Sequence, residues 1–220
     1  DSLGLLLGRT LEGEALQHHL EELALDPMAR SLRWREAPDP ARLKDFTVTV
    51  IGAGMGGLNA AIQLRAAGFP FTVLEKNTGV GGTWWENRYP GARVDTLSRS
   101  YTHIFGVDFP YPNPYCDGRE NAKYFDWVAE TFDLRRHIQF ETEVTALTWD
   151  EGADEWRIEI VGPEGARTIR SRAVITSVGF LNRPNIPQIA GAETFRGGAW
   201  HTARWPEGAD MRGKRVAVIG

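Results

Sequence analysis

The chain has 220 residues, 42% hydrophobic and 25% charged, which is enough apolar material for one or two cored domains and too much for a disordered segment. Its 25 basic and 29 acidic side chains leave a net charge of −4, so no nucleic-acid or anionic-membrane partner is expected on electrostatic grounds. The lone cysteine, Cys116, excludes an internal disulfide, and the opening DSLGLLLGRT has neither the apolar length of a membrane span nor the basic flank of a signal peptide, so a cytoplasmic setting is expected.

Leu11, Leu16, Leu20 and Leu23 form a rough apolar stripe that predicts helix within residues 10–35, with a stop at Asp26-Pro27 and a second, Pro-initiated helix after it. Such a stripe packs on its own domain or forms an arm for a homodimer; the first is the preferred reading and the second stays open. His18 and His19 are adjacent and face different sides of a helix, which argues against a metal site. Residues 37–40, APDP, read as a linker.

From Phe46 the pattern changes to a βαβ unit. FTVTVI is a strand, GAGMGG at 52–57 its turn, LNAAIQLRAAG a helix ending at Gly68, and FTVLE a second strand. Beyond a long loop rich in Gly, Pro and aromatics, Phe125, Val128, Ala129 and Phe132 predict an amphipathic helix from about Asn121 to Leu134. Three short strands follow at 144–149, 156–161 and 167–171, separated by DEGAD and GPEG turns, and read as a meander. An apolar strand then runs from Ala173 to Val178, and KRVAVIG restarts a Rossmann-type strand at Arg215–Ile219. Both chain ends look cut, so a fragment is expected.

Within GAGMGG, Gly52, Gly54 and Gly57 allow a tight turn, close backbone approach to a diphosphate and close helix packing, and the following helix end offers free N–H groups and a positive dipole. Glu75 closes the second strand where a carboxylate can accept hydrogen bonds from ribose hydroxyls. This geometry serves FAD and NAD equally.

Two further motifs narrow the field. GVGGTWWENRYPGARVD at 79–95 resembles the pattern GGTWxxNRYPGxxxD, and FRGGAWHTARWP at 195–206 fits FxGxxxHxxxW[P/D] at every fixed place. On these residues the chain resembles the front part of a type I Baeyer–Villiger monooxygenase, and TSVGFLNRPNIP at 176–187 is similar to the ATGxxxxPxxP segment of flavin monooxygenases. The implied fold class is α/β, a Rossmann-like FAD-binding domain with a β-meander, preceded by a helical extension and followed by the start of a second Rossmann domain. The expected boundaries are 1–40 for the extension, 41–190 for the FAD domain, 191–213 for the fingerprint linker and 214–220 for the start of the NADPH domain.

The resemblance implies FAD and NADPH as cofactors and a ketone and O2 as small-molecule partners, giving an ester or lactone. Around the diphosphate and ribose it implies contacts from Gly52, Ala53, Gly54, Met55, Gly56, Gly57, Glu75 and Lys76. Along the flavin it implies Gly82, Thr83, Trp84, Trp85 and Glu86, then Arg93, Val94, Asp95 and Tyr101, with Val144 on the adenine side and Gly179 near the exit. Glu86 stands where many members carry an aromatic residue. Asp95 would hold a catalytic arginine placed beyond Gly220, and His201 would be needed for oxygenation by coupling domain motion. The helical extension and GGTWWENRYPG lean towards the subgroup typified by 4-hydroxyacetophenone monooxygenase.

Three rivals remain at this stage. An N-hydroxylating or S-oxidising flavin monooxygenase shares the nucleotide folds but lacks the 195–206 pattern. A non-catalytic nucleotide-binding or dimerising module would do no chemistry. A pyridine-nucleotide disulfide reductase needs the CxxC pair that this chain lacks.

Overall fold

The computed structural model describes residues 2–23, 26, 28 and 30–219. Two short helices open it, α1 (Ser2–Leu7) and α2 (Gly13–Glu22). No residue of α2 is buried, and Leu20 and Leu23 of the leucine stripe are exposed while Leu11 is buried. The helix expected across 10–35 is therefore shorter than the stripe suggested, and residues 30–35 are not helical. The cause is tertiary: the Leu32 N–H donates to the Gln63 side chain at 2.8 Å and the Trp34 indole to the Ala67 carbonyl at 2.9 Å, which pins this stretch as irregular chain. Pro27, the expected start of a second helix, lies outside the described residues. The expected linker ends as a cap, because Asp39 accepts the Ala41 N–H and Pro40 begins α3 (Pro40–Asp45).

The βαβ unit follows as β1 (Val48–Ile51), α4 (Met55–Ala67) and β2 (Phe71–Leu74). Gly68 ends α4 in the left-handed region at φ 80°, where glycine carries no Cβ penalty. A one-turn helix, α5 (Thr83–Glu86), carries the tryptophan pair. Then α6 (Gly118–Thr131) starts earlier than the apolar spacing suggested, because Asp117 caps it by accepting the N–H groups of Arg119 and Glu120. It also stops short of Leu134, where Asp133 turns left-handed at φ 47°. Its buried face, Asn121, Tyr124, Phe125, Val128 and Ala129, keeps helical spacing.

After β3 (Ile138–Gln139), the strands β4 (Glu143–Asp150), β5 (Glu155–Gly162) and β6 (Gly165–Ser171) form the expected antiparallel meander, and β7 (Ala173–Thr176) returns the chain to the first sheet. That sheet is parallel throughout, in the order β3-β2-β1-β7. Successive strand residues point to opposite faces. Thus Val73 joins the large core made with α4 and α6, while its neighbour Leu74 joins Ile158 and Ile160 of the meander. Helices cover one face and the meander the other, which explains why β1 is buried without alternation.

Residues 215–219, expected as a strand, have no ladder partner among the described residues, and Val218 is 82% exposed. Strand geometry needs a neighbour to hydrogen-bond, and apolar composition alone does not supply one. No described helix is long and apolar enough to cross a membrane.

Candidate dinucleotide site

The chain runs from β1 outward through β2 to β3, then comes back on the other side of β1 as β7. Such a reversal leaves a crevice beyond the carboxyl ends of the two diverging strands. Here it is a cleft of about 470 Å³, walled by Gly52, Gly54 and Met55 from the first turn, Ser177 and Gly179 from the β7 exit, and Gly82, Trp84 and Tyr101 from the aromatic loop.

Close packing against backbone calls for glycine at three places around the cleft; at Gly52, with φ 98°, a Cβ would stand 2.7 Å from the Ser177 carbonyl oxygen. A Cβ on Gly57 would stand 1.8 Å from the Gly52 carbonyl oxygen, so the start of α4 rests directly on its own turn. Gly82 has φ 52°, and a Cβ there would lie 3.1 Å from Gly54 Cα, so the two glycine turns meet backbone to backbone. At Gly179 the positive φ of 69° is the reason for glycine, since a Cβ would meet nothing within 4 Å. These contacts leave a cradle of bare backbone at the mouth of α4. Gly54 caps that helix without any side-chain bond, and the first turn holds no acidic residue. Its N–H groups and dipole end are thus free to meet an anion.

Glu75 is 4% exposed and lines the same cleft. One carboxylate oxygen accepts the Ala53 N–H at 2.7 Å, the other the Asn77 N–H at 2.8 Å. Each oxygen has a second lone pair, so the group can also accept from ribose hydroxyls. Ala53 itself is buried, its carbonyl taking the Gly81 N–H at 2.9 Å.

Of the two tryptophans, Trp84 faces the cleft, held edge-on to Tyr101 with a 3.3 Å hydrogen bond from its indole to the phenol. Trp85 turns away onto Gly79 and a shallow depression shared with Lys76, while Arg88 sits 4.5 Å over its ring. Beneath the cleft, His103 is buried between two partners, its Nε2 2.8 Å from the Met55 carbonyl and its Nδ1 2.7 Å from the Tyr124 hydroxyl. The Met55 carbonyl can only accept, so Nε2 carries the proton of the neutral imidazole and Nδ1 accepts from the Tyr124 hydroxyl, which in turn accepts the His103 backbone N–H at 2.8 Å. Burial pushes the His103 pKa down, against an opposing effect of the Met55 bond.

Thr83, Glu86, Lys76, Gly56 and Val144 also line the cleft, whereas Ala53, Gly57, Trp85, Arg93, Val94, Asp95 and His201 do not. Val94 packs on the large core, and Arg93 bridges to the Asp117 backbone. Asp95 is exposed and makes no side-chain hydrogen bond or ion pair among the described residues. His201 caps a turn of the 195–206 strap, its Nδ1 accepting the Ala203 N–H at 3.1 Å. Sequence reasoning missed Ser177, Phe125, Thr142 and Arg183 as cleft walls. The first follows from its place at the β7 exit, but nothing distinguishes Phe125 from the other apolar residues of α6.

Fold and cleft together define a Rossmann-type dinucleotide-binding domain. Residues 49–220 match the family model described as pyridine nucleotide-disulphide oxidoreductase. The chain belongs to that family. It is 40% identical over 174 residues to a Baeyer–Villiger monooxygenase of Streptomyces coelicolor, covering 79% of this chain and 33% of that one. Its structure is similar to that of ε-caprolactone-bound cyclohexanone monooxygenase in a loose conformation, with 37% identity and a TM-score of 0.72 over 80% of this chain and 35% of the other. It is also similar to OTEMO in complex with FAD and NADP, with 30% identity and a TM-score of 0.69 over 76% and 31% of the two chains. The chain spans about a third of the length of the curated relatives it matches.

Proposed function

We propose that this chain is the FAD-binding part of a Baeyer–Villiger monooxygenase. The whole protein converts a ketone, O2, NADPH and a proton into an ester or lactone, water and NADP+. The observation that carries this reading is the single cleft into which the GAGMGG turn, Glu75, the GGTW segment and the β7 exit all open, on a chain that also bears the complete 195–206 fingerprint. FAD bound there supplies the redox and oxygen chemistry.

The protein's own part is to bind, orient and keep dry. The bare start of α4 takes the diphosphate, Glu75 and Lys76 take the ribose end, and Val144 flanks the adenine. Trp84, Tyr101 and Phe125 supply rigid apolar walls that exclude water from the isoalloxazine. Asp95, exposed and without a partner among the described residues, orients an arginine from later in the protein, and His201 shapes the strap between the FAD and NADPH domains. The division into an extension at 1–40, an FAD domain at 41–190, a linker at 191–213 and the start of an NADPH domain at 214–220 belongs to the same reading. A cytoplasmic setting rests on the single unpaired thiol, and a homodimer arm on the exposed Leu5, Leu6 and Leu23.

The family description includes disulfide reductases, but Cys116 is a lone buried thiol bonded to the Asn113 carbonyl, which supports no dithiol chemistry. The test is NADPH consumption by the full-length protein with an aryl ketone and with cyclohexanone, with the product identified. An ester or lactone supports the reading. An N- or S-oxide formed from amine or sulfide, without ketone turnover, overturns it in favour of the other flavin monooxygenases.

A further inference from the structure

Glu86 ends α5 with its side chain only 9% exposed, and three donors converge on it: Lys76 Nζ at 2.9 Å, Arg204 Nη1 at 3.1 Å and Asn77 Nδ2 at 3.2 Å. Lys76 and Asn77 follow Glu75 and line the cleft with Glu86 itself, whereas Arg204 comes from the 195–206 strap. A single carboxylate therefore joins the strap to the cleft wall. Burial pushes its pKa up, but Lys76, Asn77 and Arg204 together outweigh that and hold it below the ordinary carboxylate range.

The charge count decides what such a junction can do. A carboxylate this buried is unfavourable without a cation. Lys76 alone satisfies it, so Arg204 can leave without stranding a charge. Arg204 is 48% exposed and regains water on leaving, so the contact has the modest strength of a half-solvated pair and not that of a permanent brace. The strap also aims its own guanidinium: His201 caps the turn, the Arg204 N–H donates to the His201 carbonyl at 2.8 Å, and Arg204 Nη1 donates to the Ala203 carbonyl at 2.8 Å.

We propose that Glu86 is a positioning residue that latches the strap to the cleft wall through Arg204 as a releasable contact, with Lys76 as the counter-ion that remains when the latch opens. This rests on the dinucleotide reading of the cleft. It explains why a carboxylate occupies this position: an aromatic side chain there offers Arg204 no ion pair.

Hydrogen exchange of the Ala203 and Arg204 amides, the N–H groups at 198–206 that are hydrogen-bonded among the described residues, tests the latch in the full-length protein. Glu86→Gln and Arg204→Gln should each speed that exchange by roughly two- to fivefold, as the loss of a half-solvated pair allows, and the double variant should add nothing further, because both remove one interaction. Lys76→Gln should leave the strap exchange no faster than in the unaltered protein, since Glu86 then depends on Arg204 alone. Unchanged strap exchange in Glu86→Gln, simple addition in the double variant, or a loosened strap in Lys76→Gln each overturns the proposal. Arg204→Gln, at a half-exposed site, keeps the test decisive if Glu86→Gln unfolds. Flavin absorbance of the same samples reports separately on the dinucleotide reading.

Discussion

The Glu75 carboxylate accepts the backbone N–H of Ala53 at 2.7 Å, so the residue that follows β2 also fixes the middle of the glycine turn that follows β1. One side chain thereby serves two ends of the βαβ unit. Its other oxygen takes the Asn77 N–H, which ties down the loop leaving β2.

Glu75→Gln follows directly from that geometry. A glutamine has one carbonyl oxygen for the two N–H groups, so one buried donor loses its partner at a cost of about 1–3 kcal/mol. Denaturant unfolding of the full-length protein should show that loss, and flavin retained through gel filtration should fall with it. Unchanged stability would mean that the second of the two N–H contacts, to Ala53 and Asn77, contributes nothing.

Two neighbouring glycines should respond in opposite ways. Gly57→Ala puts a methyl 1.8 Å from the Gly52 carbonyl, where backbone must shift, and should abolish flavin binding or folding. Gly56→Ala meets the Ser177 side chain, its hydroxyl at 3.5 Å and its Cβ at 3.6 Å, both ordinary contacts, and should change stability by less than about 1 kcal/mol. Thermal unfolding and flavin absorbance separate the two outcomes.

The tryptophan pair makes a similar contrast. Trp84→Phe keeps an aromatic wall but loses the bond to Tyr101, and should weaken flavin affinity by roughly three- to tenfold at about 1 kcal/mol for the lost hydrogen bond. Trp85→Phe, on the far side of α5, should leave affinity unchanged. Titration of apoprotein with FAD measures both, and equal effects would show that the two rings share the cleft after all.

His103 predicts the pH dependence. Its folded pKa lies below the ordinary imidazole value of about 6.5 because burial disfavours the cation. As pH falls through that ordinary value the unfolded chain binds the proton first, so stability is full above it and declines towards the lowered folded pKa. Protonation of Nδ1 also reverses the Tyr124 bond, since the hydroxyl oxygen must then accept from Nδ1–H. Urea midpoints should fall as pH drops below the ordinary imidazole value, and His103→Gln should flatten that slope. A slope unchanged by the substitution would place the titration elsewhere.

Much of this was legible in the sequence because it depends on local rules. The glycine spacing marked the β1 turn, alternation and turn residues marked the meander, and apolar spacing marked α6. Its boundaries were missed because a cap at Asp117 and a left-handed Asp133 outweigh hydrophobic period. Residues 30–35 were misread as helix for a different reason, since Leu32 and Trp34 find partners on α4 that no local pattern announces.

Residue type and spacing determined by themselves that a dinucleotide turn, a carboxylate at the end of β2 and the fingerprint strap are present, because those signals are carried by neighbours along the chain. Only the tertiary structure decided that Trp84 and not Trp85 faces the cleft, that His103 supports the start of α4, and that Glu86 meets Arg204. Each of these joins segments distant in sequence, and which side chain turns inward there is set by packing and by the need of buried polar groups for partners.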